Sequence, residues 1–493
     1  MPYLINELIK LSEGKTLEFK RDLSSAKNYL KTLVAFANSA GGRLVFGVED
    51  KSHAIVGLEK PLDEEERLCN IIADSIEPRL VPNIEMTTIE EKTLLIVEVF
   101  LSGNRPHWIK KEGPQGVYVR LGSTNRLADK ELIEELKRSV QGITFDETPL
   151  PELTIDDIDL TAAQTFFESK FSLKEKQLLT LKLITKEQGR FVPTIGALLL
   201  FGKEERKNRF PDAWVQCGRF LGTDKADIFD HTEIYEHLPI AVDRVMDFLK
   251  KHAMRGADLS DIRRKDIWSI PLRIIREVII NAIVHSDYSQ IGAPIRVAYF
   301  DDRIEVENPG ILLPGLTIDD IRRGVSRLRN RVISRIFREL NLIEQWGSGI
   351  PRIFKEAKKA GLPLPQVIEI GMRIRFIIYI NKNSFIIQHL KKQPESQPES
   401  QPESQPESQP ESQPGLRSGA LDQRIIALLS SDGPLSKAQL SVKLNQKEVS
   451  GQLNKVVKRL MAESIIEYTI PEKPNSRLQK YRLTKEGSKP GPK

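Results

Sequence analysis

A tetrapeptide, Gln-Pro-Glu-Ser, repeats five times without interruption over residues 393–412 and ends in Gln413-Pro414. Proline at every fourth position removes a backbone donor from each potential helical turn, and the repeat carries no apolar side chain. The stretch can therefore join neither a helix, a central strand nor a core. It reads as a disordered, partly polyproline-like spacer over 391–416. The sequences on either side of it must then fold as separate bodies.

The two sides differ in charge. From Gly415 to Lys493 there are 15 lysines and arginines against 7 acidic residues, which leaves residues 1–414 at −2 within a total of +6. Positive charge concentrated at one end suits a polyanionic partner, because neutralising phosphates releases counterions. After the spacer, residues 421–429, 436–444 and 447–463 carry helical patterns, with Asp432-Gly433-Pro434 as a turn, and 465–470 and 479–483 read as strands. This order resembles a winged helix-turn-helix over 417–487. The resemblance implies DNA as partner. The third helix would offer Ser450, Gln452, Asn454, Lys455, Lys458 and Arg459 to the major groove, and the wing Lys473, Arg477 and Lys480 to phosphates.

Before the spacer, residues 273–288 form an apolar helix in which Glu277 and Asn281, four apart, share one face while Leu272, Ile275, Ile279 and Ala282 supply the opposite stripe. A carboxylate and a carboxamide then point into one cleft, a pairing able to hold a hard cation and orient a water. Alternating strands at 295–300 and 303–306 lead into Glu307-Asn308-Pro309-Gly310, and Gly347-Ser348-Gly349-Ile350 opens another amphipathic helix. Paired glycines at a helix start let phosphate oxygens reach backbone N–H groups. The succession resembles the gyrase, chaperone and histidine-kinase ATPase superfamily over about 265–370. That resemblance implies ATP and Mg2+, with Glu277 as general base and Asn281 as magnesium ligand and nucleotide contact. Glu307, Asn308 and Gly310 fall where most members have an adenine-reading aspartate, in a shortened form. Gly347, Ser348 and Gly349 match the second glycine box, and the basic stretch 324–330 matches a nucleotide lid. His285 is expected to cap helix carbonyls. Gly14-Lys15-Thr16 lacks the glycine a P-loop needs five residues earlier, since position 9 is Ile9.

The first 140 residues contain Glu13-Gly-Lys15-Thr-Leu-Glu18-Phe-Lys20-Arg21, then Ala37-Asn38-Ser39-Ala40-Gly41-Gly42, and later Arg105-Pro-His107-Trp108. This succession looks like the Schlafen AlbA_2 domain. In Schlafen nucleases three acidic residues bind metal, and Glu13, Glu18 and Asp50 are the matching candidates here. Binding is favoured over cleavage, with Arg105, Arg120, Ser123 and Arg126 available to phosphate. Residues 150–264 read as a connector, with a buried helix at 193–203 and a core strand at 213–221.

The expected architecture is multidomain α+β: an AlbA_2-like domain at 1–140, the connector at 150–264, a two-layer α/β-sandwich ATPase domain at 265–390, the spacer, and the winged helix. Cys69 and Cys217 have no CxxC or histidine companion and read as buried thiols in a reducing compartment. No run approaches the ~20 apolar residues of a membrane span, and Met1-Pro-Tyr-Leu lacks a basic start, so a cytoplasmic location is expected. The favoured function is an ATP-binding, ATP-hydrolysing, DNA-binding transcriptional regulator, dimeric, with RNA as a second candidate partner at the N-terminal domain. One alternative is a metal-dependent nuclease of antiphage defence with the ATPase as sensor. Another is a non-catalytic repressor with a degenerate nucleotide site.

Overall fold

Strand alternation over residues 215–221, 295–299 and 303–309 produces the backbone of the larger folded unit. The structure, a computed structural model, describes residues 7–167, 172–253, 255–258, 265–343, 349–380, 418–444, 451–462, 465–469 and 480–484. It divides into two units, residues 1–395 and 396–493.

The first unit begins with β1 (Leu17–Lys20), α1 (Ala26–Asn38) and β2 (Gly42–Phe46), followed by α2 (Pro61–Ser75), β3 (Asn83–Ile89) and β4 (Lys92–Val99). The strands pair in the order β1-β2-β4-β3, with β1 and β2 parallel. Leu30, Leu33, Val34, Phe36 and Ala37 of α1 are buried, as their helical spacing dictates. Asn38 ends that helix inside the protein. Its Nδ2 donates to the carbonyls of His107 (2.9 Å) and Tyr118 (3.0 Å), which ties α1 to β5 (Tyr118–Leu121). The hairpin closes with β6 (Thr124–Leu127) and leads into α3 (Lys130–Gln141), capped by Asp129.

Next come α4 (Ile195–Phe201), β7 (Val215–Leu221), β8 (Asp227–Ile234) and α5 (Leu238–His252). Then α6 (Leu272–Val284), β9 (Ile295–Tyr299), β10 (Arg303–Pro309), α7 (Ile318–Arg322), α8 (Arg331–Glu339), α9 (Gly349–Lys359), β11 (Gln366–Ile370) and β12 (Arg373–Tyr379) complete the unit. One six-stranded sheet runs β8-β7-β9-β10-β12-β11, with β7 parallel to β9. The segment expected as a separate connector thus supplies two strands of the same sheet. One continuous core, from Leu150 to Ile380, also joins it to the rest. Pairing β7 to β9 makes the 264/265 division expected from sequence a cut through a single layer. Helices α5, α6 and α9 supply the second layer.

The N-terminal domain is fastened to this sandwich by mixed contacts. Val117, Val119, Leu121, Leu132 and Leu136 close over Ile311, just beyond β10. Lys15 reaches Glu369 of β11 at 2.7 and 2.8 Å, and Gly315 N donates to Ser39 O at 2.6 Å. Cys217 is buried, and its thiol is pushed up to about 12 by desolvation. Cys69, expected to be buried, is exposed because it lies on the outer face of α2.

In the second unit α10 (Ser418–Ser431), α11 (Lys437–Lys443) and α12 (Gly451–Ala462) precede the antiparallel pair β13 (Ile466–Tyr468) and β14 (Tyr481–Leu483). Ile425, Leu440, Leu453, Val456, Leu460 and Tyr481 form its core. Ser436 and Gln439 make a capping box at the start of α11, satisfying two amides the helix cannot satisfy itself. Among the described residues no helix is long and apolar enough to cross a membrane.

Candidate functional site

α6 buries Ile275, Val278, Ile279 and Ala282 and turns Glu277 and Asn281 into a cleft. Asn281 Nδ2 donates to the Glu277 backbone oxygen at 2.7 Å and to its Oε1 at 3.2 Å. The two side chains are therefore one hydrogen-bonded pair, formed through Nδ2 and leaving Asn281 Oδ1 outside it. Glu277 Oε2 accepts from Arg352 Nη2 at 2.7 Å. Gly349, the first residue of α9, packs on this carboxylate so closely that a Cβ there would collide with Oε1. Gly349 is not in the left-handed region, so a side chain there would act through contact, by pushing the carboxylate aside.

The cleft encloses about 350 Å³. Val284, Leu312, Ile374 and Phe376 give it apolar walls, and Arg327, Arg329, Arg338 and Arg352 bring guanidinium groups to it. Asn308 lines it and donates through Nδ2 to Pro309 O at 3.1 Å and His285 O at 3.4 Å. Gly310 follows at φ +99°, and a side chain there would collide with Arg329. Glu307, expected among the nucleotide contacts, is not brought into the cleft. Strand β10 runs on through Pro309, so period-two alternation sends Glu307 to the other face. There it accepts from Arg375 at 2.8 and 3.0 Å and lies 3.4 Å from Arg373. Gly347 and Ser348 lie outside the described residues.

The stretch expected as a lid is pinned at its far end. Arg329 is buried, donates to Ile311 O, and sits 3.2 Å from Glu135 and 4.0 Å from Asp287. Asn330 Nδ2 donates to Val284 O (2.9 Å) and Ser286 O (2.7 Å), while residues 325–328 are exposed. Beyond it, the carboxylate of Asp146 accepts from the amides of Arg331 (3.0 Å), Val332 (2.7 Å) and Ile333 (2.9 Å), the open N-terminus of α8. Burial nevertheless raises the Asp146 carboxyl to about 6. His285 ends α6, and desolvation together with Arg329 pushes its imidazole down to about 4, which keeps it neutral. Asp287 is buried and bound by Ser289 and Gln290. Sequence reasoning missed Arg352 and Asp146. Arg352 was findable, three residues past Gly349 and so one turn along the same helix. Asp146 was not, because its partners are nearly two hundred residues away.

In the N-terminal domain the three acidic residues do not form a metal centre. Glu13 accepts from Phe19 N at 2.8 Å, Glu18 pairs with Arg120 and, at 2.9 Å, with Lys20, and Asp50 faces Lys20 at 3.2 Å. Protein cations already compensate Glu18 and Asp50, and Glu13 is held by a backbone amide. Among the described residues no group of three or more His, Cys, Asp or Glu side chains is arranged to hold a metal ion. Arg120, expected to meet phosphate, is 1% exposed, and bonds to Gly14 O and Asn125 complete its role as a structural clamp. Arg105 is half-buried, with Ser139 and Ser102 O as acceptors, whereas Ser123 and Arg126 are exposed. Lys15, the would-be phosphate-loop lysine, is committed to Glu369.

In the second unit Gln452, Asn454, Lys455, Lys458 and Arg459 lie on α12. Arg459 pairs with Asp422, and Lys480 is exposed beside β14. Ser450, Lys473 and Arg477 lie outside the described residues.

Residues 13–129 match the family model "Schlafen, AlbA_2", and residues 292–378 match HATPase_c_4, described as "Putative ATP-dependent DNA helicase recG C-terminal". This chain combines a Schlafen AlbA_2 domain with a HATPase_c_4 domain. The AlbA_2 match runs from Glu13 to the cap of α3, and the HATPase_c_4 match from just before β9 to within β12. It begins after α6, so Glu277 and Asn281 join the site through geometry. Residues 420–484 match "Filamentation induced by cAMP protein Fic-like, C-terminal domain". The DIP2311 protein from Corynebacterium diphtheriae is similar at 16% identity and a TM-score of 0.42, over 98% of this chain and 96% of its own. The N-terminal domain of a RecG-related protein from Nitrosomonas europaea is similar at 29% identity and a TM-score of 0.21, over 26% of this chain and 92% of its own. At those scores neither superposition defines the fold.

Proposed function

We propose that this protein binds and hydrolyses ATP in the α6 cleft and uses nucleotide state to regulate a nucleic-acid-binding activity, with DNA held by the second unit. One observation carries the reading. Glu277 and Asn281 are hydrogen-bonded one helical turn apart at the mouth of a cleft that has apolar walls, several arginines and a glycine packed on the carboxylate. The match of residues 292–378 to the HATPase_c_4 model supports the reading.

The donor set fits the expected ligands. Asn281 Oδ1 is the oxygen available to magnesium, which when bound neutralises phosphate charge. Arg327 and Arg338 line the cleft and would meet phosphates, and Val284, Leu312 and Phe376 would meet a base. Glu277 would take a proton from an attacking water, and Arg352 fixes the direction its carboxylate faces. The positive charge of the second unit and its three helices with a strand pair support a winged helix-turn-helix use on DNA.

Calorimetry of the full chain with ATP and magnesium should give saturable heat. Glu277→Gln should cut turnover by about 10²–10⁴ while leaving affinity within a few fold. Labelled duplex DNA should bind with an affinity that falls steeply with salt and changes on adding nucleotide. Absence of ATP heat would overturn the nucleotide reading, and DNA binding that ignores nucleotide would overturn the regulatory one.

A further inference from the structure

A second cleft, about 410 Å³, opens where the AlbA_2 domain meets the HATPase_c_4 domain. Five arginines line it: Arg105, Arg138, Arg327, Arg329 and Arg331. Two carboxylates line it as well, Glu135 and Asp287, and both are drawn toward the buried Arg329. Among the described residues Arg105, Arg138 and Arg327 have no carboxylate within ion-pair distance. Arg105 bonds only neutral acceptors, Ser139 Oγ and Ser102 O, and Arg327 donates to Pro314 O. Arg138 lies over the Phe145 ring, 5.2 Å from its centroid. Burial and the facing charge of Arg327 both lower the affinity of Arg105 for its proton, so two cations repel across this space.

Arg331 pairs with Glu147 at 3.5 Å, so the uncompensated charge lies on Arg105, Arg138 and Arg327, which the fold holds around the cavity against their mutual repulsion. An anion with several charged oxygens relieves that repulsion, and planar arginine forks match phosphate geometry. We infer that this cleft is an anion site for phosphate groups carrying two or more charges, distinct from the α6 cleft and built jointly by both domains. Free phosphoanhydrides and the phosphates of a nucleic-acid strand share this chemistry.

The two sites are physically coupled. Arg327, Leu328 and Arg329 form a wall common to both clefts, so an anion drawing Arg327 toward one moves a side chain of the other. Neither Arg105 nor Arg138 lines the α6 cleft; Arg138 also borders a cleft beside Glu134 and Asp212, so Arg105 gives the cleaner test.

The probes are inorganic pyrophosphate and a 5′-phosphorylated single-stranded oligonucleotide, titrated into the full chain carrying Asn281→Ala, so that a failure of the ATP reading leaves this test intact. Arg105→Gln and Arg138→Gln, each checked for native circular dichroism, are compared with that parent. Pyrophosphate binding weakened at least tenfold by either substitution supports the site and assigns it to free phosphates. The same loss for the oligonucleotide alone supports the site and assigns it to a strand end. Binding of neither probe, or binding indifferent to both substitutions, overturns the inference.

Discussion

Gly349 and Glu277 face each other across the cleft: a β carbon added to the glycine would collide with Oε1 of the carboxylate. The glycine therefore holds the proposed base in the position where it meets both Asn281 and Arg352. Gly349→Ala should move that carboxylate by an ångström or so and lower ATP turnover by about 10²-fold, the usual cost of such misplacement. Steady-state hydrolysis alongside thermal melting checks this. Turnover equal to wild type would mean that Glu277 does not act from this position.

Lys15 and Glu369 form a nearly enclosed ion pair between the AlbA_2 domain and strand β11, with side chains 10% and 4% exposed. Removing one partner of a buried pair leaves the other charge uncompensated, at about 3–5 kcal/mol, whereas removing both can be nearly neutral. Lys15→Met should destabilise the first unit by that order, and adding Glu369→Leu should restore much of it. All four tryptophans precede the spacer, so their fluorescence during urea unfolding reports this unit alone. A double variant as weak as the single one would show that the pair contributes nothing specific.

Glu135 supplies a pH dependence. Desolvation raises its carboxyl from 4.5 to about 7, with Asp287 reinforcing the rise and Arg329 opposing it. A carboxyl with a raised folded-state pKa binds its proton more tightly when folded. Its stabilisation is complete below about 4.5 and is lost as pH rises toward 7. Glu135→Gln stays neutral throughout. The stability of that variant relative to wild type should therefore climb between pH 4.5 and 7.5, by up to about 3 kcal/mol. A flat difference across that range would place the titration of Glu135 elsewhere.

What could be read from the sequence was whatever short-range periodicity controls. The helix bearing Glu277 and Asn281, the hairpin of β9 and β10, helix α1 and the three helices after the spacer all follow from spacing within one element. Pairings between distant segments were not legible. Nothing in residues 215–221 announces that they lie parallel to β9, so a two-strand part of the sheet read as a separate connector. Glu307 was assigned from the family resemblance, with the strand read as ending at 306; β10 instead continues through Pro309, and the alternation carries Glu307 away from Asn308. The AlbA_2 carboxylates looked like metal ligands because spacing cannot reveal that Arg120, a hundred residues on, already neutralises Glu18.

Asp146 illustrates the strongest of these distant pairings. It precedes α4 in the chain but caps α8, where its two oxygens receive three backbone amides as well as the hydroxyl of Thr144. Those amides have no partner within their own helix, and Asp146, Val332 and Ile333 are all buried. Replacing an N-cap carboxylate by alanine costs about 0.5–2 kcal/mol, and leaving buried donors unsatisfied adds about 1–3. Asp146→Ala should therefore destabilise the first unit by about 2–4 kcal/mol in urea unfolding followed by tryptophan fluorescence. Because α8 starts immediately after Arg329 and Asn330, the loosened helix start should also weaken ATP binding several-fold. Asp146→Asn retains an acceptor oxygen and should recover part of both losses. Stability lost with ATP affinity unchanged would show that the cap supports the fold alone and does not set the wall of the cleft.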